Sequence, residues 1–464
     1  MISVLKIQKI KEKLDSRSNK KKELIEVINF SNKFFSIKSS GFNFDNQIYK
    51  EFEKLYSFLN IEKSLTRLFN GEKINITEDK AALHWQTRDP KSNIYNDLIK
   101  KSRELKKQLK KDSIRNIVTL GIGGSYEGPK LLIESFLDPI NLKYKHVFVT
   151  GSDSEEFKEK ISSLKQKETI FIISSKSMNT VEVINNFKLA KKWMSLKLND
   201  STLTSRFYAI TSNCREANNL GIEEKNIINL KEEVGGRYSI WSEVSLTSLI
   251  ESENNFTHFL KGGYEADLRI KSENNYKKAI KKLSYLDIWN SNFLNIDNRV
   301  ILSYIWKLRS LPKYLQQLEM ESLGKKANKN SIFSKTSQTV YGEYGPRAQH
   351  SFFQMLHQGT SNTSADFIIS NDKSESNKLP RMQALTQNKL FTSPVNKSLK
   401  NHLGINSNIS SNFFVLKKLS PFNLGFLISS LEHKTFITSQ LLQVNPFDQF
   451  GVEEGKRRVS KKFN

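Results

Sequence analysis

From Asn116 onward the chain repeats one texture, a short and almost wholly apolar run followed by a helical stretch: IVTLGIG, HVFVTG, TIFIIS, RFYAIT and NIINL in turn. Apolar runs of this length are strands buried on both faces, and helical crossovers between them demand parallel neighbours. The pattern predicts a doubly wound α/β domain. It returns after a helical stretch as RVILSYIW, SQTVYGEYG and SADFIIS, so a second α/β unit is expected. At 464 residues the chain exceeds what one core usually serves. The expected order is a helical region over 1–110, in which no strong strand appears, a first α/β domain over 111–255, a second over 256–440 and a helical tail over 441–464. The polar, irregular stretch from Ile250 to Asn275 is expected to hold the domain junction, SNDKSESNK to form a mobile surface loop, and NLGFLISSLEHKTFITSQLLQ to form a long helix.

Composition narrows the function classes. No apolar run reaches the roughly 18 to 20 residues that span a bilayer, and the charged opening MISVLKIQKIKEKLDSRSNKKK lacks the apolar centre of a secretory signal. A cytoplasmic protein is expected. Cys214 is the single cysteine, which excludes an intrachain disulfide and any multi-cysteine metal site. The formal charge of +25 comes mostly from lysine. Its short runs (Lys20 to Lys22, Lys106-Lys107, Lys110-Lys111, Lys456 to Arg458, Lys461-Lys462) are scattered, so solvated faces are expected rather than a nucleic-acid partner.

Two segments suit an anion. Val118 to Ser125 runs from strand into the turn Gly121-Ile122-Gly123-Gly124-Ser125, which exposes backbone N–H groups at a helix start. Alone this turn is equally compatible with a nucleotide, although its spacing is not Gly-x-Gly-x-x-Gly. TIFIIS then delivers Ser175-Lys176-Ser177-Met178-Asn179-Thr180 directly before a helical stretch, bringing hydroxyls and amides together.

Longer matches carry a resemblance. Val234-Gly235-Gly236-Arg237-Tyr238-Ser239-Ile240-Trp241-Ser242 and Phe447-Asp448-Gln449-Phe450-Gly451-Val452-Glu453-Glu454-Gly455-Lys456 resemble the two signatures of the phosphoglucose isomerase family. Further similar segments run from Asn75 to His84, expected to be structural, and through Gln317-Leu318-Glu319-Met320-Glu321 and Gly342 to His350. The resemblance implies two sugar-isomerase (SIS-type) α/β domains with doubly wound parallel sheets, and aldose–ketose isomerisation of glucose 6-phosphate and fructose 6-phosphate without metal or organic cofactor.

It also implies roles. Ser175, Ser177 and Thr180, with Lys176, Gly124 and Ser125, would hold the sugar phosphate; serine at 177 replaces the family's threonine and keeps the hydroxyl. Gln317 and Glu321, four apart, share a helix face; the glutamine would contact substrate and Glu321 would be the general base, while Glu319 points elsewhere. Arg237 would offset charge on the enediolate oxygens, a task suited to a permanently protonated guanidinium. His350 and Lys456 would open the sugar ring, His350 acting from the neighbouring subunit of a homodimer, and Gln449 would contact phosphate or hydroxyl. His357 would be structural. Ala348 stands where the family has glycine, and Pro346-Arg347 alters the turn before His350. Two readings compete: a sugar-phosphate-binding regulator without chemistry, and an isomerase that also accepts mannose 6-phosphate.

Overall fold

The computed structural model describes the chain apart from residues 1, 20–22, 138–139, 141, 373–376, 394–400, 407–408 and 464. The lysine run Lys20 to Lys22 and part of the expected 370–378 loop lie outside the described residues. The strands in chain order are β1 Leu24–Ser31, β2 Phe35–Phe42, β3 Asn116–Leu120, β4 Lys145–Val149, β5 Thr169–Ser174, β6 Phe207–Thr211, β7 Ile227–Asn229, β8 Asn298–Ser303, β9 Thr339–Tyr344, β10 Thr363–Ser370 and β11 Ser411–Leu416. The chain forms two compact units, each assembled from separate stretches: 82–260 with 449–464, and 1–81 with 261–448.

In the unit built on 82–260 the sheet order is β4-β3-β5-β6-β7, and every neighbouring pair is parallel. Every residue of β3, β5 and β6 is buried, which is why these runs show no alternation. Val118, Leu120, Phe171 and Ile173 pack with Phe187, Ala190 and Met194 of the Val181–Ser195 helix in one core cluster. The chain steps from β3 to β4 on one side and then places β5 on the other. This reversal leaves a crevice at the carboxyl ends of β3 and β5, the place where open α/β sheets take their ligands.

The unit built on 1–81 and 261–448 carries the order β1-β2-β11-β10-β8-β9. β8, β9, β10 and β11 are mutually parallel, as the second apolar series implied, although β11 was not anticipated. β2 lies antiparallel to β11, and β1 antiparallel to β2. The first 110 residues are therefore not wholly helical. In β2 the inward positions are Phe35, Ile37, Ser39 and Gly41, so two of four carry little hydropathy and the alternation is muted. The turn was legible: Asn32 Oδ1 accepts from the N–H groups of Phe34 and Phe35 at 2.8 and 3.0 Å, an Asx turn closing the hairpin.

Ile250 to Asn275, expected to be irregular, is helical almost throughout, and the change of unit falls between Leu260 and Lys261 inside the Glu253–Ser272 helix. Most of its polar residues lie on one side, opposite the buried Phe256, Phe259, Leu260, Ala266 and Ile270, with Glu251 and Asp267 as buried exceptions. The Pro421–Leu442 helix is buried along nearly its whole length and packs on the Asn274–Phe293 and Leu311–Leu323 helices. No described helix is long and apolar enough to cross a membrane.

Glu251 supplies an acid-sensitive tie in the 82–260 unit. Burial alone would raise its carboxyl, but hydrogen bonds from His146 at 2.9 Å and the N–H groups of Tyr144 and Lys143 at 2.8 and 3.1 Å outweigh burial and hold it below the ordinary value of 4.5. A depressed carboxyl contributes stability that is complete above its unfolded value and is lost as pH falls through its folded value. The melting temperature of the parent protein is thus expected to fall below about pH 4.5, and that of Glu251→Gln to start lower and fall less over the same range. Calorimetric scans from pH 7 to 3 check this; parallel curves would reject it.

Candidate active site

Three segments of the 82–260 unit meet at the β3/β5 crevice. After β3 the chain turns through Gly123, whose φ of 60° lies in the left-handed region that favours glycine, and enters the Gly124–Phe136 helix. A Cβ on Gly124 would fall on the carbonyl oxygen of Gly236, far inside van der Waals contact, so the glycine turn and the Gly235-Gly236-Arg237 segment touch backbone to backbone. A Cβ on Gly128, one turn on, would stand 3.1 Å from the Ile240 side chain. Gly236 itself has open space where a Cβ would stand.

The loop after β5 is held from both sides. Ser174 Oγ donates to Ser125 Oγ at 3.0 Å, joining this loop to the glycine turn. Ser175 and Thr180 hydroxyls lie 3.2 Å apart across it, and Ser177 Oγ donates to Asn179 Oδ1. Met178 is buried with φ of 53°, a left-handed conformation that a long side chain rarely adopts. Strain of this kind persists where surrounding bonds over-determine the loop. Here Lys176 O accepts from Thr211 Oγ1 and from the N–H and hydroxyl of Ser212 at 2.9 to 3.1 Å. Lys176 Nζ reaches the carbonyl oxygens of Glu232 and Val234 at 2.6 and 3.4 Å, tying the loop to the segment that carries Arg237.

Arg237 is almost fully buried, and its Nη1 donates to Gln449 Oε1 at 3.4 Å. Its segment is anchored by aromatic residues: Tyr238 and Trp241 are buried, the Tyr238 ring lies 4.6 Å from that of His84, and Trp241 stacks on Phe259 at 4.4 Å with the Arg88 guanidinium over its ring. Glu243 follows; burial raises its carboxyl in spite of Lys101 Nζ 3.5 Å away. Gln449 precedes the Phe450–Phe463 helix, which packs on the Val181–Ser195 helix. Lys456 lies two turns into that helix and is exposed.

The other predicted residues belong to the 1–81 and 261–448 unit. Gln317 and Glu321 share a face of the Leu311–Leu323 helix, Gln317 Nε2 donating to Glu321 Oε1 at 3.1 Å. Both are half-buried. Glu319 points the other way, into the core. His350 is exposed, two residues beyond the short Gly345–Ala348 helix that the altered turn forms; Pro346 sits in its first turn and Ala348 is buried. His357 is fixed by Gln387 Oε1 at 2.9 Å and packs on Phe353 and Phe391.

Sequence reading missed a clamp in this unit. Asn445 Nδ2 donates to Asn75 Oδ1 and Thr77 Oγ1 at 2.7 and 2.6 Å, Thr77 Oγ1 to Asp448 Oδ2 at 2.8 Å, and Lys325 Nζ pairs with Asp448 Oδ1 at 2.9 Å. The Asn75 to Thr77 segment thus holds the turn before the C-terminal helix, which gives content to its expected structural role. The signal was present as Asn, Thr and Asp in matched segments, but nothing local links positions some 370 residues apart. Among the described residues no group of three or more His, Cys, Asp or Glu is arranged to hold a metal ion.

The family model of phosphoglucose isomerase matches residues 39–463. The chain belongs to the phosphoglucose isomerase family. It is 32% identical over 445 residues to glucose-6-phosphate isomerase of Acinetobacter baumannii (strain SDF), the match covering 85% of this chain and 79% of that one. It is likewise 32% identical over 444 residues to glucose-6-phosphate isomerase of Shewanella baltica (strain OS223), covering 85% and 81%. The fold is that of a crystal structure of a glucose-6-phosphate isomerase from Chlamydia trachomatis D/UW-3/Cx, with a TM-score of 0.83 at 22% identity, over 99% of this chain and 95% of that one. As a phosphoglucose isomerase family member the chain is an isomerase with α/β sheets of the sugar-isomerase type.

Proposed function

We propose that the protein interconverts glucose 6-phosphate and fructose 6-phosphate, with the substrate phosphate held at the crevice of the 82–260 unit. The observation that carries this reading is the convergence there of the Gly124-Ser125 turn, the Ser175 to Thr180 loop, Arg237 and Gln449. Backbone N–H groups at two helix starts, several hydroxyls and a buried guanidinium suit a dianion joined to a polyol. Ser175, Ser177 and Thr180 bind phosphate in this reading, with Gly124 and Ser125 opposite them, and Lys176 keeps their loop in register with Arg237.

His350 and Lys456 pass protons to and from the ring oxygen and the C1 hydroxyl to open the sugar. Glu321 then takes the C2 proton of the aldose, the electron pair forms the C1–C2 double bond of an enediolate with the carbonyl electrons passing to O1, the O2 hydroxyl proton moves to O1, and the first proton returns at C1 to leave the ketone at C2. Arg237 offsets the enediolate charge, and Gln317 orients the base and the sugar. The exposure of His350 supports its use by a second copy of the chain in a homodimer. The same reading places the protein in the cytoplasm, with its charged substrate.

Incubating the purified protein with fructose 6-phosphate in heavy water tests this. Glucose 6-phosphate should form with deuterium at C2. Failure to form the aldose, with no label incorporated, would overturn the reading.

A further inference from the structure

Behind the helix that carries Gln317 and Glu321 lies a buried set of charges that the reaction does not use. Arg299 on β8 pairs with Asp287 at 2.6 Å, with Glu319, and with Asp366 at 3.5 Å; Lys434, in the middle of the Pro421–Leu442 helix, pairs with Asp287 at 2.5 Å and Glu319 at 3.1 Å. Asn412 Nδ2 donates to Asp366 Oδ1 at 2.7 Å. All five charged side chains are less than a tenth exposed. Two cations face three carboxylates; burial raises the Asp366 carboxyl, while Arg299 and Lys434 hold Asp287 low against its burial.

Such a cluster is a poor device for stability alone, because apolar residues of similar volume commonly do as well. Its geometry is specific, however. Glu319 is the one member on the Leu311–Leu323 helix, two residues from Gln317 and two from Glu321, and a two-residue step turns about 200° around a helix. Its two oxygens are held by cations from a strand and from another helix, which restricts both rotation and sliding of the helix beneath the opposite face.

We propose that Glu319 is a positioning residue: gripped by Arg299 and Lys434, it sets the rotation of the Leu311–Leu323 helix and hence the aim of Glu321. This rests on the reading of Glu321 as the base. A misplacement on the order of 1 Å costs up to about 100-fold in rate where near-attack geometry matters.

Two variants loosen the grip without stranding a charge. Glu319→Asp keeps the carboxylate and shortens the tether, and Glu319→Leu with Lys434→Met removes one charge of each sign. In each, kcat is expected to fall about tenfold or more while KM for fructose 6-phosphate stays within about twofold. The isotope effect on kcat with C2-deuterated glucose 6-phosphate should rise, since proton transfer becomes slower than the other steps. Asp366→Asn, which leaves the grip intact, should keep the parent kcat. Parent-like kcat and isotope effect in either folded variant would overturn the proposal, and so would a rise in KM alone. If neither variant folds, the cluster serves the fold and the proposal falls. Glu321→Gln measured alongside separates the two questions: full turnover there removes the base, whereas its loss together with unaltered Glu319 variants removes only the positioning role.

Discussion

Replacing Glu321 by Gln is expected to lower turnover by about 10² to 10⁴, with substrate affinity changed far less. The amide keeps the volume of the carboxylate and a partner for Gln317, whose bond to Glu321 spans 3.1 Å, so the helix face should survive. What disappears is the ability to accept the C2 proton. Because the lost interaction is made in the transition state, kcat and kcat/KM should fall together while KM holds. Steady-state kinetics in both directions, with deuterium incorporation followed by NMR, checks the result. A variant with parent turnover would remove Glu321 from the mechanism.

The second large effect is expected from one methyl group. Gly124→Ala places a Cβ on the carbonyl oxygen of Gly236, and neither backbone can yield without moving its neighbours. Overpacking of this kind costs about 1–3 kcal/mol, and about 2–4 °C in melting temperature for each kcal/mol in a domain of this size. The displaced carbonyl immediately precedes Arg237, so kcat/KM should fall by about tenfold or more even at temperatures where the variant is folded. Gly236→Ala is the contrasting case. Its Cβ meets open space, so the melting temperature should stay within about 1 °C, while the added methyl stands beside the proposed substrate and should raise KM. Thermal melts and kinetics on the pair decide it. Equal stabilities in the two variants would contradict the close approach.

The contrast shows where sequence reading reached its limit. Adjacent glycines at 235 and 236 stand out in the sequence, yet the glycine that the fold requires by contact is Gly124, whose partner lies more than a hundred residues away. Glu319 shows the same limit. On a helix read alone, a glutamate beside Met320 belongs with the solvated positions; only Arg299 and Lys434, brought in from β8 and from the Pro421–Leu442 helix, account for its burial. The Leu24–Ser31 and Phe35–Phe42 hairpin escaped because serine and glycine fill inward positions that an apolar alternation would mark. The Ile250 to Asn275 stretch was read as irregular because its polar residues were counted without regard to the face they occupy.

Short unbroken apolar runs alternating with helical stretches point to parallel strands covered on both faces, because the crossover helices hide the sheet that the strands form. From those runs and the signatures at Val234 to Ser242 and Phe447 to Lys456, the primary structure by itself determined the α/β class and the family, and named the candidate chemical groups. The tertiary structure alone decided that the chain divides as 82–260 with 449–464 and 1–81 with 261–448, that Lys176 braces its loop, and that Asn75 and Thr77 clamp the turn at 445–448. Local sequence encodes hydrogen-bonding capacity and apolar periodicity. Which distant group meets which is set by strand order and packing, and those are properties of the whole chain.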